Sequence, residues 1–546
     1  MKKIVLDIET NLAHDTIWMA ATHDIDTGDN EVCTDADALT RILATADVIV
    51  GHNLIGFDIP VLRRVWGISV ERHKVVDTLV LSRLYNPSLE GGHSLKAWGL
   101  RMGDEQKGDF TDFDGGLTQE MIDYCIQDTV VNAQLYIHLL ELLKKMDFSD
   151  YSIELEHIVA WETQTQEENG FFFDFDMACN ISEEHRERML DIEHQMQEVF
   201  PPIVTERWSE KTGKRLKDSV EVFNVGSRQQ IAKRLEAKGA VWSQQTEKGA
   251  VVVNEKTLGN LTHIPEAALI LEYLTLQKRL GMVDSWLNAY AADGRVHGRV
   301  NTCGAVTGRM THSSPNMAQI PSESLYRECW TVPEGKRLVG IDASGLELRM
   351  LAHYMKDDNY TNEVLNGDIH TANQKAAGLS TRDQAKTFIY AFLYGAGDAK
   401  IGSIVGGGSQ RGKQLKETFL ENTPALRSLR ERVGKHAGVG HIAGLDGRRV
   451  WIRSEHAALN TLLQSAGAIV MKQALRLATE RLRRNQIPFK LVAQVHDEFQ
   501  VEAPEEYADA VGITFRNAIR RAGEHFEMRC PLDGEYKVGT SWAETH

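Results

Sequence analysis

The 546-residue chain has no run of about 18 apolar residues, so no membrane-spanning helix is expected. Its start, MKKIVLDIET, has the lysines of a signal peptide but meets two acids before any apolar core, which argues against secretion. Cysteine is scarce. Cys33, Cys125, Cys179, Cys303, Cys329 and Cys530 show no metal-like spacing and read as reduced thiols in a cytoplasm. With only 12 prolines there is no Pro-rich linker, so the domains are expected to pack directly on one another. No internal repeat or low-complexity tract is present. Positive charge is also in deficit, at a net −16. Basic residues gather in ERWSEKTGKRLK (206–217), SRQQIAKRLEAK (227–238) and RLATERLRRNQIPFK (476–490). Each also fits a solvated helix face or loop, so charge neither establishes nor excludes a nucleic-acid partner.

A chain of this length exceeds a single core and predicts about three or four domains. To residue 146, strand-like runs (KIVLDIE, DVIVGHN) mix with helical ones, which predicts an α/β domain. From Ile153 to about Leu287 long polar helical stretches dominate, one ending at Asn169-Gly170 as a C-cap. From Val296 the mixed character returns, with glycine-rich breaks at 395–409.

Acids stand out in three places. Asp7 and Glu9, two apart on a strand, share one face. Asp58 precedes an apolar segment, and Tyr124 and Asp128 sit at i and i+4 on a helix. Such oxygen-only ligands suit magnesium or manganese in a two-metal hydrolytic site, with the ions about 3.5–4 Å apart. In KRLVGIDASGLELRMLAHY (336–354), Asp342 ends an apolar strand just before a helix beginning near Ser344. It suits a cation or phosphate site, and equally an N-cap. In TRDQAKTFIYAFLYGAG, Arg382, Lys386, Tyr390 and Tyr394 form a stripe roughly 120° wide, opposite Ala385, Phe388 and Phe392. Cations there suit a triphosphate and rings suit a base or sugar. Finally, KLVAQVHDEFQVEAP reads as two strands whose turn holds His496, Asp497 and Glu498 but no glycine.

As a set, Asp7, Glu9, Asp58, Tyr124 and Asp128 resemble the four-acid, tyrosine-containing 3′–5′ proofreading exonucleases. DTLVLSRL (Asp77–Leu84) is similar to their phage branch. The later motifs resemble family A DNA polymerases, above all the replicative enzymes of short-tailed bacteriophages. This resemblance is densest from Arg295 to Trp542 and loose over 170–260. TGRMTHSSPNMAQIP supplies Arg309, Asn316 and Gln319; NGDIHTANQ supplies His370; LDGRRVWIRSEHAALNTLLQSAGA supplies Arg448, Asn460 and Gln464.

The resemblance implies an α/β multi-domain fold, a ribonuclease H-like exonuclease (1–146) followed by a right-hand polymerase. The thumb would span 153–295, the palm 296–356 and 441–546, and the fingers 357–440. Asp342, Asp497 and the Ala343 carbonyl would hold two Mg2+ ions, with Mn2+ as a substitute. Asp7, Glu9, Asp58 and Asp128 would hold those of the exonuclease, with Tyr124 orienting the attacking water. Glu347, His370, Arg382, Lys386, Tyr390 and Tyr394 would meet the dNTP. Arg309, Asn316, Gln319, Arg448, Asn460 and Gln464 would contact primer–template DNA, with His496 and Glu498 beside the primer terminus. In a phage the setting is the host cytoplasm, and a helicase–primase and a single-stranded DNA-binding protein are the implied partners. Some relatives carry a long thioredoxin-capturing insertion in the thumb. Residues 205–219 are too few for one, so thioredoxin is not expected. Two other readings remain. A single-subunit RNA polymerase is opposed by Glu347, which by family analogy fills the space of a ribose 2′-hydroxyl. A non-catalytic scaffold is opposed by the retained acids.

Overall fold

The computed structural model describes residues 1–103, 110–246 and 248–546. They form two compact units: 1–171 with 298–321 and 332–546, and 172–297 with 322–331. Among the described residues no helix is long and apolar enough to cross a membrane.

The first unit begins with strands β1 (Lys3–Thr10), β2 (Ile17–Asp24), β3 (Asn30–Cys33), β4 (Val48–Gly51) and β5 (Val75–Asp77), in the order β3-β2-β1-β4-β5. β1 runs antiparallel to β2 and parallel to β4. Alternation along β1 sends Ile4, Leu6 and Ile8 into one core and Val5 into another, so Asp7 and Glu9 share the face of Val5. Helix α1 (Gln119–Lys145) packs on β1 and β2, and its N-cap Thr118 accepts the Met121 N–H.

Helix α2 (Asp150–Asn169) starts at the N-cap Ser149 and ends at Gly170, whose φ is 60°. This helix, which the expected thumb of 153–295 would take in for the most part, lies in the first unit. Despite its polar character, Glu156, His157, Glu162 and Gln166 are buried. Glu156, His157 and Glu162 are inside because partners distant in the chain meet them.

The second unit is built on α3 (Phe175–Val199) and α4 (Pro265–Asn288), which pack together around Ile192, Met196, Phe223 and Ile270. Arg188 clamps Glu272 through two bonds of 2.6 and 2.9 Å. The stretch 205–219, expected as a loop, is most of an antiparallel hairpin, β6 (Ile203–Trp208) with β7 (Arg215–Glu221). Gly213, with φ at 64°, lies in its turn.

The remainder of the first unit centres on β8 (Lys336–Ala343), which precedes α5 (Leu346–Met355), α6 (Arg382–Leu393) and α7 (Ala458–Arg484). Then follow β9 (Lys490–Val495), β10 (Glu498–Pro504), α8 (Ala508–His525) and β11 (Gly534–Gly539). The sheet order is β9-β10-β8-β11, and α8 packs on it and on α7. One continuous apolar core joins this sheet to the helices, running from Val339 and Ile341 through Phe388 to Phe515.

Candidate active sites

β8 delivers Asp342 to its C-terminal end, and α5 begins only after Gly345, whose φ is 55°. Gly345 is the cap residue, so Asp342 is free of that duty. On the neighbouring hairpin Val495 pairs with Glu498, leaving a two-residue turn, His496-Asp497. His496 adopts φ 55°, the positive angle that glycine usually supplies at this position. The Ala343 N–H donates to the Asp497 carbonyl at 3.0 Å, and Asp342 pairs across the strands with Glu498 on one side and Glu535 on the other.

Acids thus converge from separate strands. Asp342 reaches solvent, yet desolvation by its surroundings raises its carboxyl to about 7, with the charges of Asp497 and Glu498 adding to the shift. Desolvation raises the Asp497 carboxyl as well. A cation between them would relieve both penalties, and an all-oxygen donor set fits a hard divalent ion.

Thr381 caps α6 by accepting the Gln384 N–H, and buried Ala385, Phe388 and Phe392 anchor the helix. Arg382 and Lys386 stay exposed on the expected stripe, while Tyr390 is half-buried and Tyr394, the C-cap, is exposed. Arg382 binds Asp368 at 2.7 Å. The His370 ring lies 6.3 Å from that of Tyr390, and desolvation lowers the His370 pKa. The Tyr394 hydroxyl donates to Glu347 Oε1 at 2.5 Å, and Arg309 Nη2 reaches the same oxygen at 3.3 Å.

Of the residues expected on DNA, Asn316 caps the short turn Met317–Gln319, Gln319 and His496 are exposed, and Asn460 and Gln464 are half-buried on α7. Two depart from expectation. Arg448 is only 2% exposed; Nη1 binds Glu156 and Nη2 binds Asp446, both at 2.6 Å. Its guanidinium is engaged in a buried ion cluster that also includes Lys472. Glu498 is 6% exposed and accepts the Trp542 indole N–H at 2.7 Å. In both cases the partner that draws the side chain inward is remote in the chain.

The N-terminal set does come together. Asp7, Glu9, Tyr124 and Asp128 line one cleft of about 300 Å³ with His14, Phe57 and Phe113. Asp58 stands behind it, 3% exposed, with Oδ1 accepting the Ile8 N–H at 3.2 Å. Burial, and after it the charge of Asp7, pushes the Asp58 carboxyl well up. The Tyr124 ring lies 5.7 Å from Phe110 and 6.5 Å from Phe113. Sequence reasoning missed Cys125, whose Sγ donates to Asp7 Oδ2 at 3.5 Å. Ligand atoms of Asp7, Glu9 and Cys125 lie within 4.8 Å of one another. No spacing rule flags a single cysteine, although its place next to Tyr124 on α1 was visible. Burial pushes its thiol well up, so it stands there as a neutral donor.

The chain belongs to DNA polymerase family A, which it matches over residues 203–544. Among its relatives is the DNA-directed DNA polymerase of Escherichia phage T7, 38% identical over 93% of this chain and 94% of the relative. The corresponding enzyme of Enterobacteria phage T3 matches to the same extent. DNA polymerase I of Aquifex aeolicus is 26% identical, over 91% of this chain and 88% of its own length. The solved polymerase domain of Pol1 from M. smegmatis, in complex with DNA primer–template and dNTP, shares the fold. The TM-score is 0.84 at 19% identity, over 99% of this chain and 96% of that one.

Proposed function

We propose that this chain is a DNA-directed DNA polymerase that extends a primer 3′-hydroxyl with dNTPs, removes mispaired ends with its own 3′–5′ exonuclease, and serves phage genome replication. The observation that carries the reading is the meeting of Asp342 and Asp497 at the end of β8, within a chain of this family. Asp342, Asp497 and the Ala343 carbonyl would hold the divalent ions, Mg2+ or in its place Mn2+, which supply charge neutralisation for phosphoryl transfer. Arg382 and Lys386 neutralise the incoming triphosphate, and Tyr390 with His370 lies along its sugar and phosphates. Glu347, held by Tyr394 and Arg309, closes the space of a ribose 2′-hydroxyl. Asn316, Gln319, Asn460 and Gln464 contact primer–template, and His496 lies beside the primer end.

In the second cleft Asp7, Glu9, Asp58 and Asp128 would hold the divalent ions of hydrolysis. Tyr124 orients the attacking water. The order β3-β2-β1-β4-β5, with β2 antiparallel to β1, supports the ribonuclease H-like reading. A helicase–primase and a single-stranded DNA-binding protein are the replisome partners, without thioredoxin.

The test pairs two variants. Asp497→Ala lowers extension by about 10³-fold or more and leaves degradation of single-stranded DNA intact. Asp7→Ala with Glu9→Ala does the reverse. Near-normal extension by the Asp497 variant sinks the assignment, and labelled NTP incorporated as readily as dNTP sinks the substrate class.

A further inference from the structure

Behind the stripe of α6 lies a group of polar side chains that the nucleotide site does not use directly. Helix Asp358–Asn366 is capped by Asp357, whose carboxylate accepts the Asn359 and Tyr360 N–H groups, and it turns Tyr360 inward to 8% exposure. Helix Ile369–Ala377 is capped by Asp368, which accepts the His370 and Thr371 N–H groups and also binds Arg382 of α6. That ion pair ties the helix start to α6, where the His370 ring lies 6.3 Å from that of Tyr390. Asn373, three residues after His370 and so on the same side of the helix, is 1% exposed.

Among the described residues the Tyr360 hydroxyl, the Asn373 amide nitrogen and His370 Nδ1 are all buried without a hydrogen-bond partner. Burial pushes the Tyr360 phenol up; Asn373 opposes that shift and Tyr390 adds to it, so both side chains lie close to the hydroxyl. Three unmet groups in one corner of a core are costly, and each calls for an explanation. Imidazole chemistry supplies one. A neutral histidine that donates through Nε2 must accept at Nδ1, so a donor has to face that nitrogen. Asn373 carries an amide N–H and Tyr360 an O–H, and both are unspent.

We propose that Tyr360 and Asn373 are positioning residues for the incoming nucleotide: on its arrival they close a hydrogen-bonded chain behind His370 and Tyr390, supplying the donor to His370 Nδ1 that leaves Nε2–H for the triphosphate. The assignment rests on reading His370 and Tyr390 as dNTP contacts. Neither Tyr360 nor Asn373 touches substrate; both act through the histidine.

The test uses the full chain, free for thermal melts and on a primed template for single-turnover addition of the complementary dNTP. Tyr360→Phe keeps the ring and removes the hydroxyl. That hydroxyl is unmet in the free protein, so the variant melts above the parent. Its apparent Kd for dNTP nevertheless rises about 5-fold, with little change in the maximal rate. Asn373→Leu, which removes the amide donor, weakens dNTP binding in the same way. In a His370→Ala background, itself weaker in dNTP binding, Tyr360→Phe has no further effect. A lower Tm in Tyr360→Phe overturns the proposal, because the hydroxyl is then already partnered in the free protein. So does an unchanged Kd in both Tyr360→Phe and Asn373→Leu, or a loss that simply adds to that of His370→Ala. If His370→Ala leaves dNTP affinity unchanged, the nucleotide site is misread and the proposal falls with it. If His370→Ala weakens affinity while Tyr360→Phe and Asn373→Leu do not, the site stands and only the chain behind it is wrong.

Discussion

Asp342 is held in a state that costs the empty protein stability. Its folded pKa of about 7 lies above the unfolded value of about 3.9. Its contribution is therefore full below the unfolded pKa and is lost as pH rises through 7. In chelator, Asp342→Asn should melt above the parent at pH 8, by on the order of 1–2 °C, and level with it at pH 4. Thermal melts at the two pH values decide this; equal melting temperatures at pH 8 would refute it. Sugar selection also belongs to single residues. Glu347→Ala should raise ribonucleotide incorporation, since Glu347 is fixed between Tyr394 and Arg309. By family resemblance the Tyr390 hydroxyl supplies the hydrogen bond that a dideoxynucleotide's missing 3′-hydroxyl would otherwise make, so Tyr390→Phe should turn weak discrimination against dideoxynucleotides into strong discrimination; competitive incorporation that does not change contradicts that role. Such residues were legible because local periodicity exposes them: alternation on β1 pairs Asp7 with Glu9, and one helical turn pairs Tyr124 with Asp128. The burial of Arg448 and Glu498 was not legible, because it depends on Glu156, 292 residues away, and on Trp542, 44 residues away, and no local pattern reports such contacts.

Helix α2 is joined to both halves of its unit. On the side of the N-terminal sheet His157 Nε2 accepts the Asp77 N–H at 2.9 Å and Glu162 binds Arg72 at 3.0 Å. On the polymerase side the same Glu162 binds Arg483 at 2.6 Å, Glu156 meets Arg448 and Lys472, and the Asn169 amide reaches the Leu491 carbonyl at 3.0 Å. Burial opposes the charge of Glu156, but Lys472 and Arg448 outweigh it and hold the carboxyl below its usual range. Its contribution is present at neutral pH and is lost as pH falls through that lowered value. Glu156→Ala leaves two buried cations short of a partner and should cost about 3–5 kcal/mol. Urea unfolding of parent and variant measures it, and a cost below about 1 kcal/mol would mean that Asp446 alone compensates. The C-terminal end of α2 was readable from Asn169-Gly170; its burial was not, since buried ion pairs and a solvated face look alike in one dimension.

At the scale of the molecule the net charge of −16 leaves hairpin β6–β7 as an exception. Its Arg207, Lys211, Lys214, Arg215 and Lys217 outnumber the acids around them, and Val204, Trp208 and Val220 are more than half exposed. An isolated two-stranded hairpin is too small for a separate thioredoxin-docking domain. Primer extension on a long template with trap DNA should give products no longer with reduced thioredoxin than without. Neutralising Lys211, Lys214 and Arg215 should shorten them, more so at low salt; lengthening by thioredoxin would reverse this view. The attachments of α2 also decide where the chain can be divided. A polymerase fragment begun at Gly170 would lack Glu156 and Glu162, leaving Lys472 without its anion and Arg448 with Asp446 alone. The hydroxyl of Ser149 bonds the Asp446 carbonyl, and its N–H bonds that of Gly447. A fragment freed of the N-terminal half must therefore start ahead of Ser149, and carry with it a helix whose outer face, built for Arg72 and Asp77, has become new surface.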